Sequence, residues 1–243
     1  MNNTKKKYAL LFSGRSEVRH LNDLEYMYRT LVDKYEYDEG NITVLFYDGS
    51  LNYEMEPKPV RNWPRDDTPY RIIVNGIASK SCFEKKINCI KELISKKDTL
   101  LIFTSGHGGG PASFDCTDPS TLWSYATGPS IADKYFGEIL RDFPVFKTLL
   151  VIMTQCHSGG FLPHVINNSR AINTFFSAAC PAWRESAAGE LSNPFALHWI
   201  DRLSESIQVN AYEGHEYAKL NTHPYDRPVM GESSVNCGLM ITL

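Results

Sequence analysis

The stretch from Leu149 to Gly160, LLVIMTQCHSGG, decides the fold. Its apolar run from Leu149 to Met153 predicts a strand that is buried on both faces, as in a parallel sheet. The strand leads to a cysteine, Cys156, and the chain then turns through glycines. Because open α/β sheets bind ligands at the carboxyl ends of their strands, we expect this thiol to face a binding site.

A second stretch has the same design. Thr99 to Thr104, TLLIFT, predicts another buried strand, and it leads into the glycine-rich segment Ser105–Gly110 around His107. If the two strands are parallel neighbours, His107 and Cys156 lie at the same rim of the sheet. The sequence therefore predicts that this histidine and this cysteine act together.

Length and charge narrow the class of protein. The chain has 243 residues, and we expect residues 1–243 to form one α/β domain. A net charge of −3 gives no reason to expect a nucleic-acid partner. The apolar run Tyr8–Phe12 is too short for a signal peptide, and no run approaches the ~20 residues of a membrane span. We expect a cytoplasmic protein without membrane contact, with its six cysteines reduced.

Strands and helices alternate along the chain, which predicts a mostly parallel sheet flanked by helices. The predicted strands are Lys7–Ser13, Asn41–Tyr47, Thr99–Thr104, Lys147–Thr154, Ala171–Ala178 and, as a candidate last strand, Cys237–Leu243. The predicted helices are Leu21–Tyr35, with a cap region at Asn22 and Asp23, then Cys82–Lys96, Ile131–Phe143, Pro194–Ser204 and Ala211–Leu220. Ser50–Ser79 is predicted to be a surface excursion with a short strand at Arg71–Val74, and Ser113–Thr127 a loop or hairpin.

The chemistry that this pair predicts is nucleophilic catalysis. A cysteine nucleophile needs a base to supply thiolate, and His107 can serve as the acid/base. It also needs donors for the oxyanion, and the backbone N–H groups of Gly108 and Cys156 are the natural candidates.

Two plainer interpretations compete with catalysis. A cysteine at a strand end is usually structural, and a histidine among glycines is often only part of a turn; their joint occurrence after two apolar runs favours the catalytic interpretation. A metal site at Cys156 and His157 would have adjacent ligands and no second cluster, unlike the usual zinc spacings. We therefore expect no metal and no cofactor, and a structural role for His157.

Two motifs resemble those of the caspase-like cysteine peptidases, which include caspases, metacaspases and legumains. They are SGHGG at Ser105–Gly109 and QCHSGG at Gln155–Gly160. His107 precedes Cys156 by 49 positions, close to the roughly 50 of caspases. Val18–Asp23 is similar to a Tyr-Arg-His-x-x-Asp stretch of legumains, and Ser177–Ser186 to their Ala-Ala-Asn-Pro-Arg-Glu-Ser stretch. The resemblance spans about Lys7–Ser204 and implies an α/β fold: a three-layer α/β/α sandwich with a six-stranded, mostly parallel sheet.

The resemblance also implies roles for particular residues. Cys156 would be the nucleophile and His107 the acid/base. The implied substrate-binding residues are Arg19, His20, Thr154, Ser177 and Ser186. The chain departs from the family pattern at Thr154, where the family has Glu, Asp or Gln, and at Gly106, where legumains have Asp. The family's aspartate at the pocket floor has no counterpart in this sequence, and Ser192 or Asn193 lies near its place.

These departures lead to a hypothesis about specificity. A pocket with Arg19 and no carboxylate would not accept a basic side chain, because a buried cation would lack a partner. We therefore expect Asn or Asp at P1, the residue before the scissile bond. Glu17 stands where legumains have an asparagine near the histidine; it is a candidate for orienting His107, although a surface position is the more common one for a glutamate.

The predicted function is a cysteine endopeptidase that acts through an acyl-thioester. A peptide ligase or transamidase on the same scaffold and an inactive caspase-like interaction module are the alternatives. The expected partners are a protein or peptide substrate and an activating or inhibitory protein. The connection Gly159–Arg170 is predicted to be a short loop, which indicates a chain that stays uncut between the cysteine and the next strand.

Overall fold

The computed structural model describes residues 5–15, 17–52, 62–126 and 128–243. Residues 53–61 of the predicted excursion, and Thr127, lie outside the described residues. The strands are β1 (Lys7–Ser13), β2 (Ile42–Phe46), β3 (Asn62–Trp63), β4 (Thr68–Pro69), β5 (Val74–Gly76), β6 (Thr99–Thr104), β7 (Gly108–Gly109), β8 (Thr121–Leu122), β9 (Ile131–Ala132), β10 (Phe146–Met153), β11 (Ala171–Ala178) and β12 (Val229–Glu232). The α-helices are α1 (Val18–Arg29), α2 (Lys80–Leu93), α3 (Asp133–Arg141), α4 (Phe161–Asn168), α5 (Pro194–Glu205), α6 (Ala211–Asn221) and α7 (Cys237–Met240).

Seven strands form the central sheet, in the order β5-β2-β1-β6-β10-β11-β12. All neighbours are parallel except β12, which is antiparallel to β11. Strands β6 and β10 lie side by side, with Met153 opposite Thr104 at their carboxyl ends. The predicted neighbours are therefore real neighbours, and the two glycine-rich segments leave the sheet at the same rim.

Side chains that alternate along the strands build a core on each face of the sheet. On one face, Leu11 and Leu101 pack with α1, α5 and α6. On the other face, Leu10 and Ile102 pack with α2, α3 and α4. Each fully buried side chain of this size contributes about 1.5–3 kcal/mol. The predicted three-layer α/β/α sandwich is confirmed.

The sheet has seven strands where six were predicted, because both of its edges differ from the expectation. One edge strand is β5, which begins at Val74, where the predicted strand ends. The other is β12, which the sequence analysis missed, and it takes the place beside β11. The segment predicted as the last strand forms α7 instead: the Gly238 N–H donates to the Glu232 carboxylate at 2.9 Å, which folds this segment back onto β12.

Two helices also differ from the prediction. Helix α1 begins at Val18, so Asn22 and Asp23 are buried inside it and do not cap it. The backbone N–H of Glu17, the residue before the helix, donates to His20 Nδ1 at 3.1 Å. After Arg29 the helix continues as a π-helical turn, Thr30–Lys34.

The connection from Cys156 to β11 contains a helix where a loop was predicted. It begins with a 3₁₀ turn, Ser158–Gly160, and continues as α4. Pro163 obscured this helix in the sequence, but it stands in the first turn, where the missing N–H is tolerated. Phe161 and Val165, one turn apart, are fully buried under the sheet.

The segment after His107 is also more ordered than a loop. Strands β7, β8 and β9 form a small antiparallel sheet, which extends the predicted loop or hairpin at Ser113–Thr127. The strand β9 occupies the start of the predicted helix Ile131–Phe143, so α3 begins at Asp133. Among the residues that the structure describes, no helix is long and apolar enough to cross a membrane.

Candidate active site

His107 is fixed at the end of β6 by the backbone around it. Gly106 has a φ of +151°, a conformation that favours glycine. The His107 carbonyl accepts a hydrogen bond from the Trp123 N–H at 3.1 Å, next to the pairing of β7 with β8. The imidazole lies 5.7 Å from the Trp123 ring and 5.2 Å from the His20 ring. These contacts hold the imidazole at the rim of the sheet.

The Cys156 segment lies directly against the His107 segment. A Cβ on Gly108 would come within 2.4 Å of the Cys156 carbonyl oxygen, so only glycine permits this approach of the two backbones. His157 then takes a left-handed conformation with a φ of 61°. Its N–H donates to the Arg184 carbonyl, and its Nδ1 lies near the Ala182 carbonyl, both at 2.7 Å. His157 thus ties the cysteine segment to residues 182–184.

The thiol of Cys156 has weak partners. The Ser186 N–H donates to Sγ at 3.4 Å, and the Ser186 hydroxyl lies 3.8 Å away. Within the described part of the chain, no hydrogen bond joins this thiol to His107. Catalytic hydrogen bonds are often long in the absence of substrate and tighten when it binds. Ser186, a predicted substrate-binding residue, lies beside the thiol.

Glu17 is the third group of the site. Its carboxylate accepts from His107 Nε2 at 2.9 Å, and it accepts two hydrogen bonds from Arg19, one of them at 2.9 Å. Glu17 was only a candidate for this role in the sequence, and the structure brings it into contact with the imidazole. With Nε2 bonded to a carboxylate, Nδ1 is the nitrogen that remains for proton transfer.

This pairing corrects the premise of the specificity hypothesis. The hypothesis assumed that Arg19 enters the pocket without a carboxylate, but Glu17 neutralises it. Helical periodicity places residues three or four apart in contact. Glu17 and Arg19 are two residues apart at the start of α1, so the sequence pattern does not predict their contact. The pairing gives Arg19 a carboxylate partner within the protein, and the expectation of Asn or Asp at P1 stays a prediction.

His20 is a buried neighbour of His107. Burial, followed by the charges of Arg19 and His107, lowers its pKa well below the ordinary histidine value. Since its Nδ1 accepts the Glu17 N–H, the proton of the neutral ring is on Nε2. His20 is thus an uncharged neighbour that stacks edge-on against His107.

Asp23, which was predicted to lie in a helix cap region, contacts the segment that carries His107. Its buried carboxylate accepts from the Ser105 hydroxyl at 2.7 Å, from the Ser192 hydroxyl, and from the Asn193 N–H at 3.2 Å. It therefore joins α1 to the His107 segment and to the segment before α5. Burial raises its pKa to about 7, against hydrogen bonds that lower it. Ser192 and Asn193, near the place of the family's pocket-floor carboxylate, thus bond a carboxylate that α1 supplies.

Two further predicted substrate-binding residues lie in the interior. Thr154 is fully buried, its carbonyl accepts from the Asn193 amide at 3.2 Å, and its hydroxyl has no hydrogen-bond partner among the described residues. The Ser177 hydroxyl is bonded to Trp199 Nε1 at 2.9 Å and to His215 Nδ1 at 2.8 Å, in a buried network. The structure therefore does not bring Ser177 into the site. Alternation along β11 turns its side chain towards α5 and α6.

The side chains of the site do not form a metal-binding set. Among the described residues, no group of three or more His, Cys, Asp and Glu side chains is placed to hold an ion. All six cysteines are free thiols. Burial raises the pKa of Cys180, the buried cysteine near Cys156, to about 11, so its thiol is a poor nucleophile.

Comparisons with known proteins agree with the motifs. No protein-family profile matches the chain. It is 25% identical over 146 residues to metacaspase-4 of Arabidopsis thaliana, a match that covers 58% of this chain and 29% of that protein. It is 24% identical over 230 residues to the vacuolar-processing enzyme beta-isozyme of Arabidopsis thaliana, covering 80% and 45%. The chain thus spans less than half the length of these two curated relatives.

A solved structure shares the fold. The crystal structure of protein GSU0716 from Geobacter sulfurreducens superposes with a TM-score of 0.62 over 95% of this chain and 94% of that one, at 12% identity. At this identity the likeness concerns the fold alone. Both curated relatives are caspase-like cysteine peptidases, matched at 25% and 24% identity. The chain is therefore similar, at low identity, to the caspase-like cysteine peptidases.

Proposed function

We propose that this chain is a cysteine endopeptidase in which Cys156 is the nucleophile and His107 the general acid and base. The observation that supports this most directly is that the segments of His107 and Cys156 leave the sheet at the same rim. The imidazole is anchored at Nε2 by Glu17 and has no hydrogen-bond partner at Nδ1 among the described residues, and the thiol lies on the adjoining segment. An activated nucleophile needs such a base within reach and a third group that orients the base.

The reaction begins with proton transfer from the Cys156 thiol to His107 Nδ1. The thiolate attacks the carbonyl carbon of the scissile bond, and the N–H groups of Gly108 and Cys156 stabilise the resulting oxyanion. Collapse of this tetrahedral species breaks the C–N bond, while His107 gives its proton to the leaving amine. Water, deprotonated by His107, then attacks the thioester and releases the acid product and the thiol.

Glu17 has a positioning role in this mechanism. Its carboxylate accepts the Nε2 proton, which fixes the tautomer with a basic Nδ1 and stabilises the imidazolium that forms in each half-reaction. Arg19 bonds the same carboxylate and holds it in place. The contact between Arg19 and Glu17 therefore helps to orient His107 and also neutralises the charge of Arg19.

Asparagine is the P1 side chain that the surroundings favour. Arg19 is already neutralised, and Ser186, which contacts the thiol, is an uncharged hydrogen-bonding group. A neutral polar side chain can bond these groups without adding an unpaired charge. We propose a preference for Asn over Asp, and for both over Lys or Arg.

The test is a fluorogenic peptide library with varied P1 residues, assayed with reductant on wild type, Cys156→Ala and Cys89→Ala. Cys89 is an exposed cysteine on α2, the helix that packs against Leu10 and Ile102. It is the matched control for Cys156. We expect turnover in wild type and Cys89→Ala and at least about a 10³-fold loss in Cys156→Ala. Equal turnover in Cys156→Ala would refute the assignment of the nucleophile.

The same assay separates the alternatives. With an added amine, a ligase or transamidase yields product that is heavier by that amine, because the amine intercepts the thioester in place of water. An inactive interaction module yields no Cys156-dependent product and leaves Cys156 unreactive towards iodoacetamide.

A further inference from the structure

A cleft of about 570 Å³ opens on one side of the nucleophile. We call it the Arg184 cleft; its walls are 110–112, His157, 183–185 and Tyr225. It adjoins the site at two points, since His157 follows Cys156 and Glu185 precedes Ser186, whose N–H contacts the thiol. A molecule bonded to Cys156 can therefore extend into this cleft.

In the part of the chain that the structure describes, Arg184 forms no ion pair within this cleft. Its guanidinium lies 4.5 Å from the Tyr225 ring and 5.3 Å from the Trp183 ring. Its Nε is buried and has no hydrogen-bond partner among the described residues. A buried donor of a charged group that is left without an acceptor is costly, so this nitrogen indicates a missing partner.

The backbone of Arg184 is fixed although its side chain is unpaired. The Arg184 carbonyl accepts from the His157 N–H at 2.7 Å and from the Cys180 thiol at 3.2 Å. The two aromatic rings restrict the side chain further. The guanidinium is thus held in one position before any ligand arrives, which lowers the entropy lost on binding.

The acidic residues nearby form no ion pair with this cation among the described residues, although its charge opposes the rise that burial causes in the pKa of Asp226. Glu185 lines the cleft, but it is exposed, and none of the ion pairs among the described residues joins it to Arg184. Asp226 accepts from the Ala187 N–H and from the Thr222 hydroxyl, the latter at 2.5 Å. Its oxygens are therefore already engaged within the protein.

The position of the cleft indicates which part of a substrate it meets. The residues proposed to meet the P1 side chain are Arg19 and Ser186, and the residue after Ser186, Ala187, accepts from the Asn193 amide at the start of α5 at 3.1 Å. Arg184 precedes Ser186 and lies on the side of His157 and the segment after His107. An extended peptide across Cys156 would place its acyl portion on the first side and its leaving-group portion in the Arg184 cleft.

We propose that Arg184 binds a carboxylate on the leaving-group side of the scissile bond, within the first two residues after it, P1′ and P2′. This inference rests on the proposed function. A guanidinium recognises a carboxylate through paired N–H···O bonds, and the buried Nε can supply one of them. Trp183 and Tyr225 flank the guanidinium on this side of the cleft.

The test uses peptides with one P1 residue that differ only in having Asp or Asn at P1′ or P2′. The proteins are wild type, Arg184→Gln, Arg184→Lys and Arg170→Gln; Arg170 is an exposed arginine before β11 and is the control. In wild type we expect about a tenfold higher kcat/KM for the acidic peptide. The ratio should fall to about one in Arg184→Gln, be intermediate in Arg184→Lys, and be unchanged in Arg170→Gln.

A second readout does not depend on turnover. Calorimetric binding of the same peptides is measured with Cys156→Ala protein and with the Cys156→Ala, Arg184→Gln double variant. Unchanged binding of the neutral peptide shows that the double variant is folded. We expect the preference for the acidic peptide only while Arg184 is present.

The outcomes distinguish this inference from the proposed function. Cys156-dependent cleavage with no acidic preference, or with a preference that survives in Arg184→Gln, overturns the anion site and leaves the peptidase standing. Arg184-dependent binding of acidic peptides without any cleavage supports the anion site and removes the proposed activity. Binding without an acidic preference overturns the inference whether or not the peptides are cleaved.

Discussion

The two sides of the site are built differently. On the histidine side, the His107 imidazole is bonded to Glu17 and flanked by Trp123 and His20, and Ser105 of the same segment donates to the carboxylate of Asp23. On the cysteine side, the thiol has only long contacts to Ser186, and the Arg184 Nε has no partner among the described residues.

On the histidine side the protein itself supplies the hydrogen-bond partners, whereas on the cysteine side the partners would come from a ligand. The base must keep one tautomer and one position through both half-reactions, so its partners are provided in advance. The nucleophile and the neighbouring cation meet groups that belong to the substrate, so their partners are absent until it binds. Apart from the nucleophile itself and the substrate contact proposed for Arg184, removing groups should therefore have large catalytic effects on the histidine side and small structural ones on the cysteine side.

The largest effect is expected for His107→Ala. Loss of the acid and base should lower kcat by about 10³-fold, because general acid–base catalysis typically contributes 10²–10⁴-fold. Peptide hydrolysis by the purified variant measures this. His164→Ala on α4 is the control, and retention of more than a tenth of wild-type kcat in His107→Ala would mean that another group is the base.

Glu17 should have the next largest effect. Glu17→Gln keeps an acceptor for His107 but loses the charge, and we expect about a tenfold lower kcat; Glu17→Ala also leaves Arg19 unpaired beside the imidazole, and we expect about 100-fold. Steady-state kinetics with Glu92→Gln, an exposed position on α2, as control measure both. A rise in kcat for Glu17→Ala would show instead that Glu17 blocks the site.

Asp23 should make the free energy of unfolding depend on pH. Its folded pKa, about 7, lies above the unfolded value, so between about pH 4 and 7 the folded state binds more protons. The stability that Asp23 contributes is therefore present at low pH and is lost as the pH rises through 7. From pH 5 to pH 8 the unfolding free energy of wild type should fall by about 2 kcal/mol relative to Asp23→Asn.

Denaturant titrations at several pH values measure this difference. The comparison within one pair of proteins removes the contribution of the other titrating groups. A constant difference between wild type and Asp23→Asn over this range would show that Asp23 stays ionised in the folded protein.

Thr154 offers the smallest effect and tests the cysteine side. Its buried hydroxyl has no partner in the described part of the protein, so Thr154→Val removes an unsatisfied polar group at nearly constant volume. We expect the unfolding free energy to rise by up to about 1 kcal/mol. A loss of stability in chemical denaturation would indicate that the hydroxyl is bonded, for instance to water.

The parts of the fold that were predictable are those in which burial dictates composition. Lys7–Ser13, Thr99–Thr104 and Ala171–Ala178 are strands with the predicted bounds, because central parallel strands need continuous apolar runs. Edge strands lack this constraint. Val229–Glu232 is only partly buried and has no such run, and its neighbour in sequence, Cys237–Leu243, is apolar without being a strand.

The candidate site divides in a similar way. His107 and Cys156 were identifiable because each follows a buried strand and is embedded in glycines that allow the backbones to meet. The partners of Glu17 and Asp23 were not, because contacts between a helix start and distant segments leave no period in the sequence. Ser177 was assigned to the site from a motif, yet the alternation of β11 turns it into the core.

The helix after the cysteine has a consequence for cutting the chain. Proteases need an exposed, extended segment, whereas α4 would have to unfold first and withdraw Phe161 and Val165 from the core. Such local unfolding costs a substantial part of the stability of that layer. Scission between the nucleophile and β11 is therefore an unfavourable way to switch this protein, and control by a bound molecule at the open cysteine side leaves the polypeptide in one piece.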